Sequence, residues 1–97
     1  MAPKIEVNNA GENAYAVRVI EGKSESSHRV TLAEKDYTRL TSGTVSPEEL
    51  IRRSFEFLLE HESKESILGR FDLTIISRYF PQYEREIKKR IAGTTDS

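Results

Sequence analysis

The stretch from Ser46 to Glu62, SPEELIRRSFEFLLEHE, limits what this chain can fold into more than any other. Its start matches a helix-opening pattern: Ser46 as N-cap, Pro47 where a missing N–H costs nothing, and Glu49 placed to reach back and complete a capping box. With side chains stepping about 100° around a helix, Leu50, Ile51, Phe55, Phe57, Leu58 and Leu59 fall on roughly half the circumference, opposite Arg52, Arg53, Glu56 and Glu60. That arc is wider than one neighbour covers. The spacing therefore predicts a central helix packed from two sides, with a solvated face carrying i,i+4 pairs of Glu49 with Arg53, Arg52 with Glu56 and Glu60 with Lys64.

Upstream of this helix the pattern has period two. Ile5 and Val7 alternate with polar neighbours ahead of the turn-forming Asn8-Asn9-Ala10-Gly11. In YAVRVI, Tyr15, Val17 and Val19 point one way and Ala16, Arg18 and Ile20 the other. After Gly22-Lys23-Ser24, residues His28, Val30 and Leu32 alternate with Ser27, Arg29 and Thr31. Short loops permit only hairpins, so two to three strands should form an antiparallel meander. Thr31 and Glu34 suggest a second capping box opening a short helix that buries Tyr37 and Leu40 and ends near Gly43.

Downstream, Asp72 can cap a helix carrying Leu73, Ile76 and Phe80, and the stripe resumes as Tyr83, Ile87 and Ile91 beyond Pro81. A proline biases the residue before it away from helix, so the chain should kink at Phe80-Pro81 or split into two helices there. The expected fold is a single α+β domain over 1–92. It consists of an N-terminal antiparallel meander and three to four helices, the last kinked or split at Pro81, with residues 93–97 a disordered tail.

Composition narrows the function classes. The chain has no cysteine, which removes thiolate catalysis and cysteine metal sites. Fifteen basic against sixteen acidic residues give a net charge of -1, so no bulk attraction to nucleic acid or anionic lipid is built in. No segment reaches the roughly 20 apolar residues of a membrane span, and no signal-peptide pattern opens the chain; a cytoplasmic location without membrane attachment is expected. His28 and His61 are the only side chains that titrate near neutrality when unperturbed, and neither sits in a catalytic constellation. His61, Glu62 and Glu65 cluster at a helix end, where solvated charge explains them better than a metal. No phosphate loop, nucleophile elbow or carboxylate pair is present. No enzyme activity, cofactor or metal is expected. A basic cluster, Arg85, Lys88, Lys89 and Arg90, suits the end of a helix dipole.

Residues 28–61, HRVTLAEKDYTRLTSGTVSPEELIRRSFEFLLEH, run as strand, short helix, Gly-containing turn and second helix. In that order they resemble the ribbon-helix-helix family of dimeric DNA-binding proteins. The resemblance implies a dimer core containing Val30 and Leu32, with Ser27, Arg29 and Thr31 facing the major groove from a ribbon shared by two chains. Two expectations result. The first is a non-catalytic protein-interaction module that self-associates, as a homodimer, through Ile51, Phe55, Phe57, Leu58 and Leu59, or that binds another protein. The alternative is a ribbon-helix-helix-like transcriptional regulator or antitoxin that contacts DNA through Ser27, Arg29 and Thr31.

Overall fold

The computed structural model describes the backbone of residues 3–95 and side chains as far as Ala92. Three strands, β1 (Lys4–Gly11), β2 (Ala14–Glu21) and β3 (Ser24–Thr31), form the expected antiparallel meander. Glu21 pairs with Ser24 across Gly22-Lys23, and Gly22 adopts φ +60°, a conformation in which a side chain is strained. Alternation sets the faces: Tyr15, Val17, Val19, His28 and Val30 are buried, while Ala16, Arg18, Ser27, Arg29 and Thr31 are exposed.

A fourth strand, β4 (Arg70–Asp72), was not part of the sequence expectation. It lies parallel to β3, with Arg29, Val30 and Thr31 beside Arg70, Phe71 and Asp72, and the sheet order is β1-β2-β3-β4. Three residues are too few to display a period. Four helices cover the apolar side: α1 (Glu34–Thr41), α2 (Pro47–His61), α3 (Ile76–Tyr79) and α4 (Tyr83–Thr95). Short 3-10 turns at Lys64–Ser66 and Leu73–Ile75 lead into β4 and α3. Among the described residues no helix is long and apolar enough to cross a membrane.

The start of α2 forms as its sequence dictates. Ser46 Oγ accepts the Glu49 amide at 3.1 Å, with Pro47 opening the helix. The capping box is only half made, because the Glu49 carboxylate turns to Arg52 and Arg53 at 2.6 and 2.8 Å. The predicted pairs Glu49–Arg53 and Arg52–Glu56 form, whereas Glu60 reaches Arg90 at 2.7 Å and Lys64 reaches Glu21 and Glu65. Tertiary partners win there, since both side chains lie at the end of α2 where other elements converge.

Two other expectations are corrected. Thr31 does not cap α1; it stays in β3 and donates to Asp72 at 2.6 Å, while Ala33 occupies the N-cap without a side-chain bond. Asp72 does act as a cap, accepting the Thr74 amide at 3.1 Å, but it opens a 3-10 turn rather than a long helix. At Pro81 the chain splits. Phe80 leaves the helical region at φ -131° and ψ 89°, as a residue before proline should, and α4 begins at Tyr83. Helix α4 is described to Thr95, and Asp96 and Ser97 of the expected 93–97 tail lie outside the described residues.

At the centre of the apolar arc of α2 sits a serine. Ser54 lies one turn from Leu50, Ile51, Phe57 and Leu58 and is fully buried. Its Oγ donates to Leu50 O at 2.8 Å and lies 2.7 Å from the Tyr83 hydroxyl. Since the single Ser54 proton goes to the carbonyl, Tyr83 donates to Ser54, and the polar atoms of both helices are satisfied. Burial drives the Tyr83 phenol well above its usual pKa, which keeps it a donor. Ser54→Ala should cost about 1–3 kcal/mol by stranding the Tyr83 hydroxyl, and the Ser54→Ala/Tyr83→Phe double variant should recover a large part of that loss in urea melts.

Candidate functional site

The end of α2 and the chain beyond it build a groove. Glu62 leaves the helix, and the 3-10 turn Lys64–Ser66 tucks the Lys64 side chain into the fold at 4% exposure. The ammonium meets Glu65 at 2.5 Å and Glu21 at 3.2 Å, and the hydrogen bond to Glu65 is the main influence raising its pKa. This pins the turn against the hairpin end of β2.

Two bonds from β3 then fix the next residues. The His28 ring donates from Nδ1 to Leu68 O at 2.8 Å, and the Arg29 amide donates to Gly69 O at 2.8 Å. Because the acceptor at Nδ1 is a carbonyl, that nitrogen carries a proton, and Nε2 faces Ser26 Oγ at 2.7 Å. With its carbonyl drawn toward the core, Leu68 turns its side chain outward, 49% exposed. Tyr79, at the end of the short α3, is 66% exposed while Ile76 in the same helix is buried.

These two are the exposed large hydrophobic side chains among the described residues, and both line one groove. Leu58 of α2, Glu62 just past its end, Ile67, Phe71 of β4, Ile75, Ile76 and Phe80 also line it, around a volume of about 270 Å³. Phe80 is braced by Phe57 at 5.7 Å and His61 at 5.1 Å. The lining is apolar apart from Ser66 and the Glu62 carboxylate, which has no ion pair among the described residues. It sits at the negative end of the α2 dipole, where a cation is favoured. Burial of single apolar side chains in such a groove is worth about 1.5–3 kcal/mol each.

The residues expected to form a self-association face are placed differently. Ile51, Phe55, Phe57 and Leu58 lie inside this chain's own core, covered by the sheet on one side and α4 on the other, and only Leu59 keeps part of its surface at the rim. His61 and Glu65 do not converge on a metal position either, because His61 stacks on Phe57 and Phe80 and Glu65 is held by Lys64.

Ser27, Arg29 and Thr31 do come together, on the side of the sheet that no helix covers. Arg29 reaches Ala10 O at 3.3 Å and Thr31 is bound to Asp72. At residues 29–31 the far edge of β3 is taken by β4, the edge a ribbon shared with a second chain would use. The basic cluster in α4 divides: Arg90 pairs with Glu60 and lies 5.7 Å from the Phe57 ring centre, leaving Arg85, Lys88 and Lys89 exposed. Sequence reasoning missed Leu68 and Tyr79, whose local pattern ILGRFD and SRYF carries no sign of which apolar residue faces out. No family model, curated protein or solved structure matches the chain.

Proposed function

We propose that the chain is a non-catalytic protein-interaction module, and that its docking surface is the groove between the end of α2, β4 and α3. One observation carries this reading: Leu68 and Tyr79, the two exposed large apolar side chains among the described residues, converge on the same groove rather than lying scattered. The buried imidazole supports it, since both ring nitrogens of His28 are engaged, by Leu68 O and Ser26 Oγ. The occupant that fits is a segment of a partner protein presenting two or three apolar side chains, with a lysine or arginine meeting Glu62.

Selection from a displayed library of random linear peptides tests this. Enriched peptides should combine large apolar residues with a basic one, and Leu68→Glu should weaken them about tenfold or more. Glu62→Gln should weaken the basic peptides alone. Because Leu68 and Glu62 are on the surface, melting temperatures should hardly move. If nothing is enriched, or if selected peptides bind Leu68→Glu as well as the parent, the groove is not the docking surface. The DNA-binding alternative draws on a separate observation, the exposed position shared by Ser27, Arg29 and Thr31, and would use the open sheet face of one chain.

A further inference from the structure

The sheet order leaves β1 with one neighbour, β2, and its other edge open. Which backbone groups face that edge follows from a bond on the far side of the sheet. The Arg29 amide donates to Gly69 O, so the backbone of Arg29 points toward β4 and away from β2. Ala16, opposite Arg29, therefore turns its N–H and C=O toward β1, where it meets Asn8. Alternation along β1 then directs Lys4, Glu6 and Asn8 to β2 and aims the N–H and C=O of Ile5 and Val7 outward. Neither residue makes a backbone bond in that direction among the described residues.

Open edges are normally blunted by shortness, a proline, a bulge or an inward-facing charge. The opposite edge, β4, is short at three residues. β1 instead runs in unbroken register with β2 from Lys4 to Asn9, and its bulge comes only after that. The side chains it turns to the helix side include Ile5 and Val7, both half-buried against the core. Its charged residues, Lys4 and Glu6, point to the other face and pair with one another at 3.3 Å, with Arg18 3.0 Å from Glu6. Beneath the edge a second groove of about 470 Å³ opens between Pro3 and Ile5 on one side and Glu56, Leu59 and Glu60 of α2 on the other. Leu59, half-buried at the rim of the apolar arc, is the side chain of α2 that meets Ile5 there.

We infer that β1 takes up an extended segment of a partner protein as a fifth strand of the sheet. An apolar side chain of that segment sits on Ile5 and Leu59, and a basic one reaches Glu62, which also lines the groove. Glu21, Glu56 and Glu60 already have cations of this chain, Lys64, Arg52 and Arg90, whereas Glu62 has no ion pair among the described residues. A second copy does not fit the edge. Helix α2 runs over β1, and antiparallel pairing of two identical edges puts both α2 helices on the same side of the joint sheet. Their axes would lie about one strand spacing, 4.8 Å, apart, where packed helices need about 8–10 Å. A lone strand carries no helix and meets no such obstacle. This surface shares only Glu62 with the groove lined by Leu68 and Tyr79, so either can fail without the other.

Random linear peptides selected against the Leu68→Glu chain, in which the other groove is blocked, test this. Enriched sequences should place β-branched or aromatic residues at every second position, with a lysine or arginine among them. In a peptide made from the selection, N-methylating one alternate set of amides should weaken binding about tenfold or more, and methylating the other set should not. Binding should also slow amide exchange at Ile5 and Val7, whose outward N–H groups exchange fast in the free chain. Val7→Pro removes an outward N–H but no bond to β2, a change an edge strand tolerates, and should weaken the peptide about tenfold. Leu59→Lys, which changes only the groove side, should weaken basic peptides by a similar factor and provides the reading if the proline variant unfolds. The inference is overturned if no alternating sequence is enriched, if both methylated sets bind alike, or if Ile5 and Val7 stay unprotected. It is overturned equally if the chain sediments as a dimer that Val7→Pro dissociates, because the occupant is then a second copy.

Discussion

Phe57→Ala should lower the unfolding free energy by about 3–5 kcal/mol. For a domain of this size that approaches the whole margin of stability, so a large part of the variant population should be unfolded at physiological temperature. The reason is the position of the ring. Phe57 is almost fully buried and packs on Phe80, His61 and Tyr83, at centroid distances of 5.7, 4.6 and 5.5 Å, with the Arg90 guanidinium 5.7 Å from its ring centre. Removing it opens a cavity where α2, α4 and the Phe80 corner meet. Phe57→Leu keeps most of the volume and should cost about 1.5 kcal/mol or less. Urea melts of both variants check this, and a loss below about 1 kcal/mol for the alanine variant would contradict the packing described.

His28→Ala should cost about 3 kcal/mol, combining a cavity beside Phe55 with a carbonyl left without its donor. The ring is buried, lies 5.3 Å from the Phe55 ring centre, and holds Leu68 O. Its loss should also be felt selectively. Amide exchange should accelerate at Gly69 to Asp72, where β4 meets β3, more than in β2 or the middle of α2. The apolar groove should lose affinity for its peptides as well, since His28 positions the backbone that turns Leu68 outward. Uniform acceleration across the chain would show that His28 does no more than fill space.

The parts of this fold that arise from local chemistry are legible in the sequence. Ser46, Pro47 and the Glu49 amide define the start of α2, period-two alternation places Tyr15, Val17 and Val19 inward, and Pro81 divides the last two helices. The features that escape are set by contacts between distant residues. Thr31 and Glu34 match a capping box, yet Thr31 finds a better partner in Asp72, forty-one positions away. Ser54 counts as polar in a helical projection and so disguises the centre of the buried arc, where Tyr83 satisfies it. β4 is invisible because its three residues acquire meaning only beside β3.

The candidate sites were less legible still. The width of the apolar arc on α2 is a real property of the sequence, and the sheet and α4 of the same chain cover its two flanks. The groove arises from the direction in which Leu68 leaves the backbone, and that direction depends on a hydrogen bond from His28. Ser27, Arg29 and Thr31 could be placed on one face from their alternation alone. The open edge of β1 could not, because strand order is not written in alternation.

The parallel pairing of β3 with β4 sets an order of assembly. The meander closes through tight turns, so its strands can find one another quickly, whereas β4 must wait until the helices between Thr31 and Arg70 have collapsed onto the sheet. Closing that long loop yields three paired residues, and the rest of its return comes from burying Ile67, Phe71 and Leu73 once the helices are in place. The wall of the groove thus belongs to the part of the chain whose contacts span the longest loop and form last. A partner segment seated there would act as a latch, slowing the detachment of β4 without touching the nucleus that folds before it.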